Sequence, residues 1–281
     1  MAEKNQEMAT TDGTERIGSM NISMNIKKNP YEKKRRDVTM IPLSEEEYLL
    51  VSCDSCGGVG DKEKDLVRVP PEITGYYTSR VAIMEMLTLG GTPTVIIDTL
   101  SVEWEPTGKR IYDGIRRFLE EAKLEMTTLN GSTEENFPMV QTAMGITVIG
   151  RAATDRLRLD RSRPGHELWL LGVPKVGNEI LQPFDPEIAS VKSVQQLLEQ
   201  PEVKDMIPVG SKGIKHEAGL LAGNANVKIR WEKGLDIPLE KSGGPSTCVI
   251  LSLEAKAATR LEGLVSANAF QRLGKLEGAS S

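Results

Sequence analysis

Between residues 38 and 150, short β-branched runs alternate with two sharply bracketed helical stretches, and few folds accommodate that order. Residues 38–43 and 48–53 read as strands separated by an acidic turn at 44–47. Residues 72–89 read as a helix, with Pro70 and Pro71 at its start and Gly90 and Gly91 at its end. A strand at 94–97 precedes the clearest helix of the chain, 108–123, where Ile111, Ile115, Phe118, Leu119 and Ala122 form one apolar stripe. Residues 139–150 then read as another strand. The order predicts a mixed α/β domain.

The rest of the chain continues in the same style. Residues 1–36 are polar and without periodicity, and read as a flexible tail ending in the basic run 33–36, either a solvated surface or a phosphate-facing arm. A basic polar stretch at 151–164 suggests a boundary near 160. Beyond it, 167–171, 225–231 and 247–253 read as strands, and 191–199 and 254–264 as helices. The expected organisation is therefore a tail, 1–36, and two domains, 37–160 and 161–281; the length of 281 residues suits two domains.

Composition removes several classes of function. A net charge of −5 argues against a general nucleic-acid binder. No apolar run of about 18 residues is present, so a spanning helix is not expected. The first residues lack the apolar core of a secretory signal, and three cysteines are not a disulfide framework. A reduced, cytoplasmic protein is the expectation.

Four groups of residues could carry chemistry. Cys53 and Cys56 form a C-x-x-C, but a glycine-rich segment (57–60) follows where a redox helix would begin. A zinc site would need partners, and only Cys248, His166 and His216 remain, scattered. Asp54 is expected just past a buried strand, where α/β folds display ligand groups, or else as a turn former. The loop 130–138 gathers Asn130, Ser132, Thr133, Glu134, Glu135 and Asn136: hard oxygen ligands suited to magnesium, or a capped turn. Glu85 lies inside an apolar helix between Met84 and Met86, where an unpaired carboxylate is costly unless that helix side is wet. Two like charges about 4 Å apart repel by roughly 4 kcal/mol at an effective dielectric of about 20. Convergence of Asp37, Asp54, Glu85, Glu134 and Glu135 would therefore demand a cation, expected to be a divalent metal. No P-loop, protein-kinase signature or G-x-S-x-G elbow occurs.

In this order the pieces resemble the superfamily of aminoimidazole ribonucleotide synthetase, selenophosphate synthetase and thiamine-monophosphate kinase. Arg36-Asp37 stands for its first Asp pair and Cys53-Asp54 for its Thr-Asp. Glu85, before Gly90-Gly91-Thr92-Pro93, stands for its helix Asp, and Asn130-Gly131-Ser132-Thr133 for its Gly-Gly-Asp-Thr. Ser132 and Lys212 replace family acids, and Glu134-Glu135 lies where it could restore the first of those charges. The segments RDVTMIPL, CDSCGGVGDKEKD, PPEITGYYTSRVAIMEML, DTLSVEWEPTG and NGSTEENFP together are similar to one branch, the alpha-ribazole kinases of cobalamin salvage.

The resemblance implies an α/β fold of two domains, the first strand-rich, binding ATP and closing a homodimer through a β-barrel. It implies transfer of the γ-phosphate of ATP to the 5′-hydroxyl of alpha-ribazole. Magnesium would rest on Asp54, Glu85, Glu134 and Glu135. Phosphate or water would be held by Thr133, Asn136 and the backbone of Gly57, Gly58, Gly60 and Gly131. Arg35 and Arg36 would fold over the phosphates, Asp37 would join the metal shell or orient the nucleophile, and Asp54 or Asp37 would serve as general base. Another small-molecule kinase or an ATP-dependent synthetase of the same superfamily stays open, and the Ser132 and Lys212 replacements leave open a non-catalytic nucleotide-binding regulator.

Overall fold

The computed structural model describes residues 33–180, 185–265 and 270–278, with side chains from residue 36 onward. The chain builds two sheets. The first comprises β1 (Lys33–Arg35), β2 (Val38–Pro42), β3 (Glu47–Gly57), β6 (Thr92–Leu100), β7 (Thr128–Thr133) and β8 (Ala143–Ala153). Its order is β1-β2-β3-β8-β6-β7. Two short strands, β4 (Val59–Gly60) and β5 (Val67–Arg68), pair with each other. Every pairing in the first sheet is antiparallel except β6–β7, which the helix α2 (Lys109–Glu121) connects by a crossover.

Helix α1 (Pro71–Thr88) starts on Pro71, whose missing N–H costs nothing in a first turn, and ends at Gly90 in a left-handed conformation. It packs on the inner face of the sheet, where Leu50, Ile96, Ile146 and Val148 are buried, and α2 packs beside it. The alternate positions Leu49, Val51, Ile97, Thr147 and Ile149 point to the opposite face and are only half-buried.

The second sheet holds β9 (Glu167–Leu171), β10 (Val203–Pro208), β11 (Val227–Trp231), β12 (Val249–Leu253) and β13 (Phe270–Gly278), all antiparallel, in the order β10-β12-β9-β13-β11. With it come the helices α3 (Val191–Leu198), α4 (Gly213–Asn224) and α5 (Ala258–Glu262). Strand β12, between β10 and β9, is buried at every residue. Val249, Leu251 and Leu253 join the apolar cluster of the first sheet, which includes Met84 and Met86. Cys248 and Ile250 face a second cluster under α4, with Ile214, Ala218 and Leu221. One core thus runs from sheet to sheet.

Arg80 on α1 fastens the two. Fully buried, its guanidinium donates to the carbonyls of Ala189, Pro245 and Ser246. The stretch 151–164 is pinned as well: Ser162 N–H donates to Asp205 at 2.7 Å and Arg158 to the carbonyl of Val203.

Several expectations need correction. Most of the anticipated tail, 1–32, lies outside the described residues, but residues 33–35 form a strand. Strand β3 runs on to Gly57, so Asp54 sits within it. Residues 130–133 are a strand, because the polar Asn-Gly signal is overridden by pairing with β6. The strand expected at 139–150 begins at Ala143. Strands β10 and β13 had no expected counterpart.

Candidate active site

Strands β1 and β2 form a hairpin whose turn is Arg36–Asp37. Arg36 has φ of 57°, a left-handed conformation that costs a non-glycine residue about 1–2 kcal/mol. Its side chain turns inward. The guanidinium enters a cleft of about 520 Å³ between the turn, Glu85 of α1, the loop Gly210-Ser211-Lys212, and His216, Glu217, Leu220 and Asn224 of α4.

Arg36 Nη1 donates to the carbonyl of Met206. Its Nε and Nη2, and Glu85 Oε2, are shut from solvent without a hydrogen-bond partner among the described residues. Burial lowers the Arg36 pKa, opposed by Glu85, Asp205, Glu217 and Asp37. Burial raises Glu85 to about 8, with Asp37, Glu217 and Asp54 adding to it and Arg36 opposing. Glu217 is raised to about 7 by burial and by Asp37, against Arg36, Lys212 and the backbone N–H of Gly210. Asp54 is raised by burial and, more weakly, by Asp37, while the Ser55 N–H opposes. Asp37, Asp54 and Glu85 therefore do share one electrostatic environment. Glu217 belongs with them, and the cation inside the group is Arg36.

The other expected ligands lie elsewhere. Glu134 and Glu135 border a separate cavity of about 370 Å³ with Lys62, Glu103 and Asn136. Glu135 Oε1 accepts from Trp104 N–H at 2.8 Å and from Thr133 Oγ1 at 2.7 Å, and Glu134 Oε1 accepts from Asn136 N–H at 2.7 Å. The register puts Cys56, Met144, Leu100 and Thr133 in one row across β3, β8, β6 and β7. Three strand spacings of about 4.8 Å separate its ends, roughly 14 Å. Asp54 is one inward-facing step from Cys56, and Glu134 follows Thr133. One ion cannot bridge such a span. Among the described residues, no group of three or more His, Cys, Asp or Glu side chains could hold a metal. The four carboxylates expected to share magnesium thus do not fit a single resident site.

The glycines are also otherwise engaged. Gly57 pairs with Ala143. Gly58, at φ 73°, donates its N–H to the carbonyl of Thr142 at 2.8 Å and accepts from Leu66 N–H. A β-carbon on Gly60 would strike Thr142 Oγ1 at 2.3 Å. This segment folds around buried Asp65, which accepts from Thr142 N–H, Thr142 Oγ1 and Lys62 N–H at 2.7–2.9 Å. It offers no open phosphate cradle. Gly131 lies under Asp98 of β6: a β-carbon there would fall 1.4 Å from Asp98 Oδ1. The Asp98 side chain makes no hydrogen bond among the described residues; the residue is 4% exposed, and its carboxyl is raised to about 6 by burial alone. The side chain of Arg35 lies outside the described residues. Cys53 and Cys56 sit on opposite faces of β3, about 10 Å apart along the strand, too far for a disulfide or a shared ion.

Sequence reading missed Glu217, Arg80 and Asp98. Asp98 had a signal, an acid closing the apolar run Val95-Ile96-Ile97. Glu217 had little, since a Glu after a His near a helix start is commonplace.

Residues 35–152 match the family model "AIR synthase related protein, N-terminal domain". Among curated proteins none matches the chain in sequence. Solved structures share the fold. Thiamine-monophosphate kinase from Stenotrophomonas maltophilia K279a is 15% identical, with a TM-score of 0.58 over 90% of this chain and 91% of that one. AaThiL complexed with AMPPCP and TMP is 15% identical, with a TM-score of 0.57 over 87% and 85%. T. maritima PurL complexed with ATP is 15% identical, with a TM-score of 0.63; the match covers 89% of this chain but only 44% of PurL. No described helix is long and apolar enough to cross a membrane.

Proposed function

We propose that this protein is an ATP-dependent small-molecule kinase whose acceptor is the 5′-hydroxyl of alpha-ribazole. The observation that carries the kinase reading is the cleft itself. Arg36, Asp37 and Glu85 of the AIR synthase-related segment face Lys212 and Glu217 from the second half, in a mixed-charge pocket large enough for a small metabolite. Phosphoryl transfer asks mainly for positioning and charge neutralisation, which such a pocket supplies. The structures with AMPPCP and with ATP support the choice of nucleotide. The choice of acceptor rests on the five sequence segments quoted above. We take 37–160 and 161–281 as the two domains, and the half-buried face with Leu49, Val51, Ile97 and Ile149 as the surface that closes a homodimer.

Incubation with ATP, magnesium and alpha-ribazole should yield alpha-ribazole 5′-phosphate and ADP, read by mass. Asp54→Asn should lower kcat/KM at least about tenfold, a loss of about 1.4 kcal/mol of transition-state stabilisation. Tight ATP binding without turnover of any acceptor would favour a regulator instead.

A further inference from the structure

We propose that the cleft between the Arg36–Asp37 turn and α4 receives the acceptor's hydroxyl group, and that Glu217 takes its proton during transfer. This rests on the kinase reading and adds to it a site and a catalytic residue.

The residues lining the cleft carry two kinds of unsatisfied atom. Arg36 Nε and Nη2 are donors, Glu85 Oε2 carries oxygen lone pairs, and all three are shut from solvent without partners among the described residues. Leaving such groups unpaired is expensive, so the site is built for a ligand that supplies both functions. A hydroxyl does so, since it donates once and accepts twice. A phosphate brings acceptors and negative charge. As a dianion it has no hydrogen to give Glu85 Oε2 or the carboxylates of Asp37 and Glu217, so it can satisfy only the Arg36 donors. The pocket therefore favours the uncharged, hydroxyl-bearing end of an acceptor over a phosphorylated one.

Three carboxylates line this cleft, and their surroundings separate their roles. Glu85 is the most shut in, and its raised proton affinity keeps it largely neutral near pH 7, a poor acceptor of protons. Asp37 lies at the exposed turn. Glu217 is half-buried on α4 and held against the loop before that helix: its Oε1 lies 3.5 Å from where a β-carbon of Gly210 would be, and the Gly210 N–H steadies it. The charged and titratable groups facing it are Arg36 and Asp37 on the turn, Glu85 on α1, and Lys212 and His216 around the start of α4. It makes no ion pair among the described residues, and its pKa near 7 suits a general base at neutral pH. In the step itself, the acceptor O–H bond breaks and its oxygen forms the new bond to the γ-phosphorus of ATP. The bond from that phosphorus to the bridging oxygen breaks, ADP leaves with the electron pair, and the proton passes to a Glu217 carboxylate oxygen.

The test compares wild type with Glu217→Gln and Glu217→Asp in two measurements. The first is calorimetric binding of alpha-ribazole and of its 5′-phosphate without nucleotide. Wild type should bind the unphosphorylated compound at least tenfold more tightly, and Glu217→Gln should lose at least tenfold of that affinity with its melting temperature unchanged. The second is turnover against pH. Glu217→Gln should lose at least about a hundredfold in kcat with KM for ATP within threefold, and should lose the acidic limb of the profile. Glu217→Asp should recover part of the rate. Equal binding of the phosphorylated compound, or a Gln variant with kcat within threefold of wild type, overturns the proposal. Glu217-dependent binding of the riboside without any phosphoryl transfer keeps the acceptor site and overturns the kinase reading together with the base. Failure of wild type to bind the riboside overturns the acceptor site.

Discussion

Replacing Arg80 with methionine tests whether α1 is locked to the second sheet by charge or merely by packing. The guanidinium lies fully buried and donates to three backbone carbonyls, those of Pro245 (3.2 Å), Ser246 (2.9 Å) and Ala189. No carboxylate is paired with it in these bonds, so the carbonyl dipoles provide most of its solvation. Burial drives its pKa down for that reason. Methionine fills similar space and removes the cost of a buried cation, which offsets part of the loss. It also strands three acceptors, each worth about 1–3 kcal/mol when left dry. Three dry acceptors cost about 3–9 kcal/mol together and relief of the buried cation offsets part of that, so the balance expected is a loss of about 3–5 kcal/mol. For a chain of this size that shifts the melting temperature by roughly 10 °C. Urea unfolding should show a lower midpoint with an unchanged slope. Arg80→Lys, which keeps the charge but not the fork, should also destabilise. Stability of Arg80→Met within about 1 kcal/mol of wild type would refute the reasoning, because apolar packing alone would then hold the halves.

Two further outcomes follow from single side chains. Asp98 is raised from 3.8 to about 6 in the folded state. The fold therefore binds its proton more tightly than the unfolded chain does, and the stability this contributes is present below about pH 4 and lost as pH rises through about 6. Asp98→Asn should consequently gain stability relative to wild type as pH is raised from 4 to 7, by up to about 3 kcal/mol, in melting curves across that range. An identical pH dependence in both proteins would show that Asp98 is solvated. Cys53 is exposed, Cys56 half-buried and Cys248 buried with its thiol raised to about 12. Alkylation followed by mass should label Cys53 first and Cys248 last, and mild oxidation should produce no bond between Cys53 and Cys56.

What could be read from the sequence was what local chemistry dictates. Helices α1 and α2 declared themselves through Pro and Gly brackets and a clean apolar stripe, and both are present within a residue or two. Glu85 stood out as an acid in an apolar helix, and it is the most perturbed carboxylate of the cleft. What could not be read was set by partners far along the chain. Arg80 answers to carbonyls 109–166 positions away, and Glu217 acquires its environment only when α4 docks against the turn at Arg36. The requirement of a cation for clustered acids was sound physics, but a divalent metal was expected where the fold brings in an arginine. Glu134 and Glu135 mark the opposite failure: a sequence neighbourhood rich in ligands that the sheet places three strands from the other acids.

The apolar cluster shared by Met84 and Met86 of α1 and by Val249, Leu251 and Leu253 of β12 leaves neither half self-sufficient. A protease nick between the sheets would sever the covalent link while the fragments stay associated. Expressed separately, each piece would carry a bare greasy surface and tend to aggregate. The protein should accordingly melt as one cooperative body.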